Sequence, residues 1–346
     1  MAHELRRRLP DVEISFAGTA RGIEARVIPR EGFVLDLLRS SGLKGMSIAD
    51  RVRGAALVPL SLADAWRLLA RRRPDLVIGV GGYSSGPVVL LAALRGVPTM
   101  LLEQNAVPGL TNRWVARVVK AAAVTFESTK TFFGAKAFVS GNPVRPEFFA
   151  TTGSQQESGI DDQTSVTRVL VFGGSQGAHA INLAMVEAAP QLASGGPALH
   201  LVHQTGERDV ELVRAAYRTA GLQAAVEPFL YDMGRQLRQT DLVVCRAGAT
   251  TLAEIAAAGK PAILIPLPTA TDDHQRRNAE ALGDAGAAEV LLQKDATGPV
   301  LADRIRALAA DQPRRQRLAA AARRFAKPDA ARVIVDRALA LMTRER

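Results

Sequence analysis

The chain has 346 residues, of which 44 are Lys or Arg, 34 are Asp or Glu, and 47% are hydrophobic. It is longer than the roughly 250–300 residues at which one hydrophobic core stops growing, so we expect two domains. The single cysteine, Cys245, excludes a disulfide framework and a cysteine-ligated zinc site, and no apolar run approaches the ~18 residues of a membrane span. The first residues lack the apolar core of a secretory signal, so the sequence predicts a cytoplasmic protein.

Most of the net charge of +10 lies in residues 1–150, whereas the rest of the chain is nearly neutral. A basic half joined to a neutral half indicates that one domain meets an anionic partner, such as nucleic acid, a phosphorylated substrate or an acidic membrane. The alternative is that the charge only keeps the protein soluble.

Short β-branched runs alternate with Ala- and Leu-rich stretches of helical period, which is typical of βα units around parallel sheets. The chain opens with a predicted helix at residues 2–9. Strands are predicted at residues 12–16, 33–37, 76–80, 98–102, 122–126, 137–140, 168–172, 199–204, 224–227, 242–245, 262–266 and 287–292.

The pattern therefore predicts an α/β protein with two doubly wound domains, at residues 1–149 and 167–346, and a ligand cleft at facing strand ends. Residues 150–166 are polar and have few large apolar side chains, so we interpret them as a linker. The terminal helix can pack on either domain. Doubly wound sheets commonly begin with a central strand and a glycine turn, so this start predicts two strands that lack the neighbour between them.

A glycine-rich turn, Gly-Gly-Ser-Gln-Gly-Ala at residues 173–178, joins a predicted strand to a predicted helix. Gly173 and Gly174 allow close approach of the backbone to an anion, Ser175 adds a hydroxyl donor, and the helix start supplies free amides. The alternative is a tight connection, but the strand before and the helix after favour a phosphate site.

The segment 242–254 repeats this arrangement, with a strand that ends in Arg-Ala-Gly and a helix that follows. Thr250 or Thr251 can cap that helix, and the spacing of Thr251 and Glu254 is that of a capping box. The functional alternative is that Glu254 accepts hydrogen bonds from a ribose diol. Spacing alone favours the cap.

Residues 272–278, Asp-Asp-His-Gln-Arg-Arg-Asn, carry the fixed donors and acceptors that sugar hydroxyls require. They are also an acceptable helix start with Asp272 as the N-cap. Three adjacent residues cannot all face one ion on a helix, so we expect no metal here.

The first half contains a second glycine-rich turn, with Gly81, Gly82 and Tyr83 after a predicted strand. Glu103 and Asn105 follow the next strand and are expected at its carboxyl end, facing the cleft. Arg145 can pair with a local acid or reach a phosphate or nucleobase, and pairing is favoured from the residue alone.

Together these stretches resemble the MurG family, the UDP-N-acetylglucosamine transferases that convert lipid I to lipid II. The matching residues run in family order and span nearly the whole chain: Gly-Thr-Ala-Arg-Gly-Ile-Glu at 18–24, Gly-Gly-Tyr-Ser-Ser-Gly-Pro at 81–87, Glu-Gln-Asn at 103–105, Gly-Leu-Thr-Asn at 109–112, Gly-Asn-Pro-Val-Arg at 141–145, the 173–178 turn, Cys-Arg-Ala-Gly at 245–248, and the run from His274 to Asn278.

The resemblance implies a GT-B fold of two Rossmann-like domains, in which the second holds UDP-GlcNAc and the first meets lipid I. It implies inverting transfer of GlcNAc to the C4 hydroxyl of MurNAc for peptidoglycan synthesis, and hence a part in cell shape and division. Helix-start amides stabilise the leaving diphosphate in this family, so no metal and no cofactor are implied. The implied donor-site residues are Asn105, Arg145, Ser175, Leu230, Ala249, Thr250, Thr251, Leu252, Ala253, Glu254 and Gln275.

Within that set, the resemblance implies that Ser175 binds the diphosphate, that Leu230 pairs with uracil through its backbone, and that Glu254 takes the ribose hydroxyls. It also implies an acceptor-side loop at Gly81, Gly82 and Tyr83. These roles raise the functional interpretations of Glu254 and Arg145 above the simpler ones.

Family members begin with a strand and a Gly-Gly-Thr-Gly-Gly-His loop, whose histidine is a leading candidate for the base, and this chain carries neither. Glu103 and Tyr83 are the remaining candidates near the acceptor. We therefore expect weak or no transfer and an unstable first domain. Equal turnover of a lipid I analogue with and without a restored strand and loop would contradict that expectation.

The implied partners are UDP-GlcNAc, lipid I, an anionic membrane surface and other cell-wall synthesis proteins, with no nucleic acid. The implied location is peripheral, on the cytoplasmic face of the membrane. Residues 55–60 with Trp66, Leu68 and Leu69 lie among arginines, which suits shallow insertion into anionic lipid. The alternative is an amphipathic helix that buries these side chains in its own domain.

Two other functions remain open from the sequence. A UDP-GlcNAc 2-epimerase shares the architecture, and a non-catalytic nucleotide-sugar-binding scaffold of the cell-wall machinery is compatible with the absent loop. UDP-GlcNAc binding without product would select the scaffold.

Overall fold

The computed structural model describes residues 1–20, 22, 24–39, 58–149, 166–174 and 177–343. The chain divides into two compact units. One consists of Met1–Pro143 with Asp329–Arg346, and the other of Val144–Pro328. Every predicted strand is found. The strands at 199–204 and 242–245 have the predicted ends, and the ends of the others are shifted by at most three residues.

The first unit contains two parallel sheets. Their strands are β1 (Ser15–Gly18), β2 (Val34–Leu37), β3 (Val77–Gly79), β4 (Thr99–Glu103), β5 (Ala121–Val124) and β6 (Ala137–Val139). One sheet has the order β1-β2 and the other β3-β4-β5-β6. Among the described residues, β1 pairs only with β2, and β3 pairs only with β4.

The second unit contains one parallel sheet of six strands. They are β7 (Thr167–Phe172), β8 (Leu199–Gln204), β9 (Gln223–Glu227), β10 (Leu242–Cys245), β11 (Ala262–Leu264) and β12 (Glu289–Val290). Their order is β12-β11-β10-β7-β8-β9. The chain runs outward in one direction from β7 and in the other from β10, so the boundary between these two strands is the topological switch point.

Helices connect these strands, as the pattern predicts for βα units. In the first half they are α1 (Ala2–Arg8), α2 (Glu24–Arg30), α3 (Val58–Arg72), α4 (Ser85–Leu94), α5 (Leu110–Val115) and α6 (Glu127–Phe133). The remainder are α7 (His179–Ala193), α8 (Val210–Ala220), α9 (Met233–Gln239), α10 (Ala249–Ala258), α11 (His274–Asp284), α12 (Gly298–Ala310), α13 (Gln312–Arg323) and α14 (Ala330–Thr343). None of the described helices is long and apolar enough to cross a membrane.

The boundary between the units differs from the predicted one after residue 149. A short 3-10 turn, Pro146–Phe148, packs on α9 and α10 and buries Phe148, so the chain joins the second unit at Val144. The predicted linker at 150–166 lies outside the described residues, apart from Val166.

The terminal helix α14 belongs to the first unit, one of the two arrangements that the sequence left open. Ile334 and Ala338 share a buried cluster with Met100 of β4 and with Ala121 and Ala123 of β5. Strand β5 is Ala-Ala-Ala-Val and is fully buried, and its small side chains leave room for a helix to approach closely.

The core of the second unit lies between its sheet and three helices. Met185 of α7, Tyr217 of α8 and Ile305 of α12 pack against Val169 and Leu201 of the central strands. A parallel sheet covered in this way is buried, so the carboxyl ends of its strands are where polar side chains can collect.

Candidate functional site

The strongest candidate site lies at the carboxyl edge of the second sheet, at its switch point. The glycine-rich turn follows β7 and the start of α10 follows β10, and these two strands are hydrogen-bonded neighbours. Ligands of doubly wound sheets bind at such a point because the two following helices diverge there and leave a crevice.

The turn after β7 is built so that only glycine fits. Gly177 has a φ of +73°, and a Cβ built on it would lie 1.9 Å from the carbonyl oxygen of Thr205. A Cβ on Gly173 would lie 2.2 Å from the Cβ of Ala178. The Nε2 of Gln204 donates to the carbonyl of Gly174 at 2.9 Å, which ties the turn to the end of β8. Ser175 lies outside the described residues.

Two helices begin at this edge without side-chain caps among the described residues. Ala178 is the N-cap of α7 and Gly248 is the N-cap of α10. The first N–H groups of a helix have no intrahelical partner, and the dipole favours negative charge beside them. Both helix starts therefore suit a phosphate group.

The capping-box interpretation of Thr251 and Glu254 is wrong. Helix α10 begins at Ala249, so Thr250 and Thr251 lie inside it and the N-cap is Gly248, which has no side chain to accept a hydrogen bond. Glu254 is consequently not tied to the helix start.

Glu254 is partly buried on α10, and its carboxylate makes no hydrogen bond or ion pair with any described residue. Burial raises its pKa to about 7, and this effect exceeds the lowering by the charge of Arg145. The nearby Glu147 raises the pKa further. A carboxylate with free acceptor positions, on a helix whose start suits a phosphate group, is suited to a sugar diol.

Arg145 lies near Glu254 because the Pro146–Phe148 turn packs on α10. Its Nη1 is 3.1 Å from Oε1 of Glu147, and its side chain is 68% exposed. Arg145 is therefore paired with a local acid, as its sequence context alone favours. The guanidinium also lies over the ring of Phe148, 5.1 Å from its centroid.

Leu230 lies in the loop between β9 and α9, and its backbone makes no hydrogen bond within the described chain. Phe229 and Tyr231 flank it with 41% and 94% of their surface exposed, and their rings are 4.9 Å apart. An exposed aromatic pair beside free backbone groups is suited to a flat heterocycle. These two rings were not expected as site residues from the sequence.

The loop after β11 is strained. Asp272 and Asp273 both have a φ of 55°, a backbone conformation that is unusual outside glycine and that clusters at functional sites. The predicted N-cap is wrong: α11 begins at His274, and Asp273 rather than Asp272 is its N-cap. Oε1 of Gln275 accepts from the backbone N–H of Leu267 at 3.0 Å, which fixes the orientation of its amide.

A buried arginine, two residues before the N-cap of α10, is a further candidate that was not expected from the sequence. Arg246 is 8% exposed and donates to the carbonyls of Ile265 and Pro266 and to Oε1 of Gln293. Burial lowers its pKa, with Cys245 opposing. Because no carboxylate pairs with it among the described residues, it contributes net positive charge to this edge of the sheet. The Cys-Arg-Ala-Gly motif was the available signal.

In the first unit, the carboxylate of Glu103 accepts hydrogen bonds from residues of the loop that follows it. Its carboxylate accepts from the N–H and Nδ2 of Asn105 at 3.0 and 3.2 Å, from the N–H of Gly109 at 2.9 Å, and from Nδ2 of Asn112 at 2.8 Å. A carboxylate offers about four acceptor positions, and these contacts fill them. The structure therefore favours a positioning role for Glu103, where the sequence made it a candidate base.

The other predicted residues of this unit lie before α4. Gly81 and Gly82 have φ values of +89° and +78°, and Tyr83 is 37% exposed. Tyr83 is thus accessible, and its role as a base stays a prediction.

The predicted membrane segment is divided. Residues 51–57 lie outside the described residues, while Leu60 and Trp66 on α3 are 40% and 55% exposed. Leu68 and Leu69 are buried in a cluster with α4, so for these two the alternative of burial within the domain is correct.

No group of three His, Cys, Asp or Glu side chains in the described part of the chain is arranged to hold a metal ion.

The chain matches the glycosyltransferase family 28 N-terminal domain over residues 1–124 and the C-terminal domain over residues 168–334. It is 46% identical to an Anaeromyxobacter sp. (strain K) UDP-N-acetylglucosamine--N-acetylmuramyl-(pentapeptide) pyrophosphoryl-undecaprenol N-acetylglucosamine transferase, over 99% of this chain and 89% of that protein. A Geobacter sulfurreducens protein of the same name is 43% identical over 100% of this chain and 94% of its own length.

Among solved structures, that of Acinetobacter baumannii MurG is similar with a TM-score of 0.78 and 31% identity, over 98% of this chain and 93% of that one. A UDP-GlcNAc 2-epimerase from Neisseria meningitidis bound to UDP-GlcNAc has a TM-score of 0.64 at 12% identity, which shows the shared fold alone. The fold is therefore GT-B, and the chain belongs to the MurG family of glycosyltransferases.

Proposed function

We propose that this chain transfers GlcNAc from UDP-GlcNAc to the C4 hydroxyl of MurNAc in lipid I and so makes lipid II. The observation that carries the proposal is the pair of uncapped helix starts at the switch point of the second sheet, with Glu254 further along one of these helices. They match the donor, which is a diphosphate joined to a ribose.

The donor is held by groups with distinct tasks. The backbone of Leu230 pairs with uracil, Glu254 accepts from the ribose hydroxyls, and the turn that contains Ser175 binds the diphosphate. The start of α10, from Ala249 through Thr250, Thr251 and Leu252 to Ala253, supplies further amides. Arg145 adds charge near the nucleotide, and Gln275 and Asn105 face the GlcNAc hydroxyls.

Catalysis consists of attack by the acceptor hydroxyl on the anomeric carbon, with inversion and departure of UDP. Negative charge grows on the diphosphate as the bond breaks. The amides of α7 and α10 are fixed before the reaction, so they stabilise that charge without reorganisation. The buried charge of Arg246 acts in the same direction.

The acceptor side requires a base for the hydroxyl proton. Tyr83, in the loop with Gly81 and Gly82, is the accessible candidate in the first unit. Glu103 is a positioning residue in this proposal, because its hydrogen bonds hold Asn105 and the start of α5 in place.

We also propose peripheral attachment to the cytoplasmic face of a membrane through α3 and the end of α4. Trp66 and Leu94 are 55% and 70% exposed, and the guanidinium of Arg95 lies 3.5 Å from the centroid of the Trp66 ring. An exposed apolar surface bordered by arginine suits an interface with anionic lipid.

Sedimentation with anionic liposomes tests the attachment. Binding is expected to fall as salt rises and to fall with W66A, whereas L212A, which truncates a similarly exposed side chain on α8, leaves it unchanged. Liposome binding that does not change with salt concentration would contradict the proposal.

Turnover of UDP-GlcNAc with a lipid I analogue tests the function itself. Formation of UDP and a β-1,4-linked disaccharide in equal amounts supports it. Binding of UDP-GlcNAc without product would support the scaffold alternative, and a 2-epimerised UDP-sugar without acceptor would support the epimerase.

A further inference from the structure

A histidine and an aspartate meet at the carboxyl ends of β7 and β8, just after the glycine-rich turn. His179 is the first residue of α7, and its Nδ1 lies 2.9 and 3.0 Å from the two carboxylate oxygens of Asp209. The aspartate side chain is 6% exposed and the histidine side chain 44% exposed. The buried member thus holds the exposed one at the edge where ligands of this fold bind.

Asp209 is itself fixed by a buried network. Nδ2 of Asn182 donates to Asp209 at 2.8 Å and to the carbonyl of Thr205 at 2.9 Å. Oδ1 of Asn182 lies 3.0 Å from Nε2 of His203, whose Nδ1 lies 2.8 Å from the hydroxyl of Tyr217. Burial lowers the pKa of His203 to about 3, so this ring is neutral. A fully hydrogen-bonded network of this kind restricts the orientation of its members.

The carboxylate of Asp209 is ionised near neutral pH. Burial by itself raises its pKa, but hydrogen bonds from Asn182 and His179 and the charge of Arg208 lower it more, and the net shift is downward. An ionised acceptor requires hydrogen on Nδ1 of His179. Nε2 is on the opposite side of the ring and makes no hydrogen bond within the described residues.

We propose that His179, oriented by Asp209, contacts the diphosphate of the nucleotide-sugar donor and offsets the charge that develops on the leaving UDP. The proposal rests on the proposed function, because that function places a diphosphate at the start of α7. An imidazole protonated on both nitrogens donates from Nε2 and carries a positive charge, and such charge-assisted contacts to phosphate are stronger than neutral ones.

His179 lies on the leaving-group side of the reaction, on the helix that receives the diphosphate. Inverting attack comes from the opposite face of the sugar, so His179 is not the base that takes the acceptor proton. Among the described residues, the charged groups that face His179 are its partner Asp209 and Arg208. The Nε of Arg208 is 3.7 Å from Oδ1 of Asp209. His203, reached through Asn182, adds no charge.

The expected signature is a gain in affinity that requires the diphosphate. The phosphates of UDP-GlcNAc remain ionised across the neutral range, and uridine shares the uracil and ribose contacts, including Glu254. The ratio of the two affinities therefore isolates groups near the diphosphate and sugar.

The variants are H179Q, H179R and D209N in the full chain, with H200Q as the matched control. His200 is partly exposed on β8 but near its amino end, at the opposite edge of the same sheet. At about pH 6, H179Q and D209N should each weaken UDP-GlcNAc binding about 5- to 20-fold and leave uridine binding unchanged. H179R should retain the affinity, because its guanidinium also carries a positive charge, and H200Q should match the wild type.

Two outcomes with the variants would overturn the proposal. UDP-GlcNAc binding by H179Q equal to that of the wild type would do so. An equal loss for uridine would also do so, because it would mean that His179 only supports the fold. Wild-type protein that binds neither ligand would instead contradict the proposed function.

Discussion

We expect Glu254 to couple donor binding to a proton, because burial raises its pKa to about 7 while its proposed task is to accept hydrogen bonds from ribose. Ribose hydroxyls donate to the ionised carboxylate, so the protonated enzyme must lose a proton to bind. Uridine affinity should be constant well above the pKa and about tenfold lower one pH unit below it. Calorimetric titration across that range measures this, and E254Q should bind weakly with no such dependence. A wild-type profile as flat as that of E254Q would contradict the proposed ribose contact.

The raised pKa of Glu254 also affects the stability of the ligand-free protein. Uridine binding is expected to strengthen as pH rises, whereas the free energy of unfolding is expected to fall. The folded pKa of about 7 lies above the usual 4.5, so the folded state holds the proton more tightly than the unfolded state. The stabilisation by that proton is complete below 4.5 and is lost as pH rises through about 7.

E254Q should therefore match the wild type in acid and exceed its free energy of unfolding by about 1–2 kcal/mol at about pH 8. That value is the full shift discounted for partial exposure of the group. Urea unfolding of both proteins at the two pH values measures the difference, and other titrating groups cancel in the comparison. A difference that is the same at both pH values would contradict the linkage.

Single residues also show where sequence reasoning reaches its limit. The positions of Glu254 and Gln275 follow from motifs along the chain, whereas the free carboxylate of Glu254 depends on α10 beginning at Ala249 rather than after Thr251. His179 and Asp209 are 30 positions apart, so no local pattern pairs them. The hydrogen bonds that fill the acceptor positions of Glu103 likewise form only when the fold brings Gly109 and Asn112 to its carboxylate.

Among the elements of the second unit, the glycine-rich turn packs closely against the end of β8. G177A would place a methyl group 1.9 Å from a backbone carbonyl of Thr205 at a φ of +73°. A backbone carbonyl cannot turn aside as a flexible side chain can, so the turn must distort. We expect a loss of about 2–4 kcal/mol in the free energy of unfolding and loss of UDP-GlcNAc binding.

The matched control is G221A at the end of α8. Gly221 has a φ of +74°, but a Cβ there meets no atom within 4 Å, so only the backbone strain remains. A loss of about 1 kcal/mol with intact binding is expected. Thermal unfolding and calorimetric titration of the two variants compare strain alone with strain plus collision. Equal losses would show that the close approach to Thr205 is unimportant.

The strands were predictable because each is a short β-branched or small apolar run bounded by turn residues, as in Leu242–Cys245. The helix faces were less so. Leu68 and Leu69 lie in the same helix as Trp66, and an amphipathic pattern has an apolar face whether that face meets a membrane or a core. Only the packing against Val88 and Ala92 assigns these two leucines to the core.

At the scale of the whole molecule, the alternation of strands and helices predicts two doubly wound units, but not the unit to which the last helix belongs. The apolar positions of α14 fit any flat apolar surface, and the small side chains of β5 become a complementary surface only when the sheet is assembled. The chain thus completes its first unit with its last residues, and the core of that unit depends on contacts of very long sequence separation.

Truncating this contact should destabilise the first unit selectively. Ile334 is 1% exposed in the cluster with Met100, Ala121 and Ala123, so I334A removes buried methyl groups and leaves a cavity. A loss of about 2–4 kcal/mol is expected for that unit. R332A on the same helix is the control, because the Arg332 side chain is 54% exposed and its ion pairs lie in solvent. Calorimetry of each variant, with UDP present to mark the second unit, measures both transitions. If I334A lowered both transitions equally, or lowered only the one that UDP raises, α14 would not be the element that closes the core of the first unit.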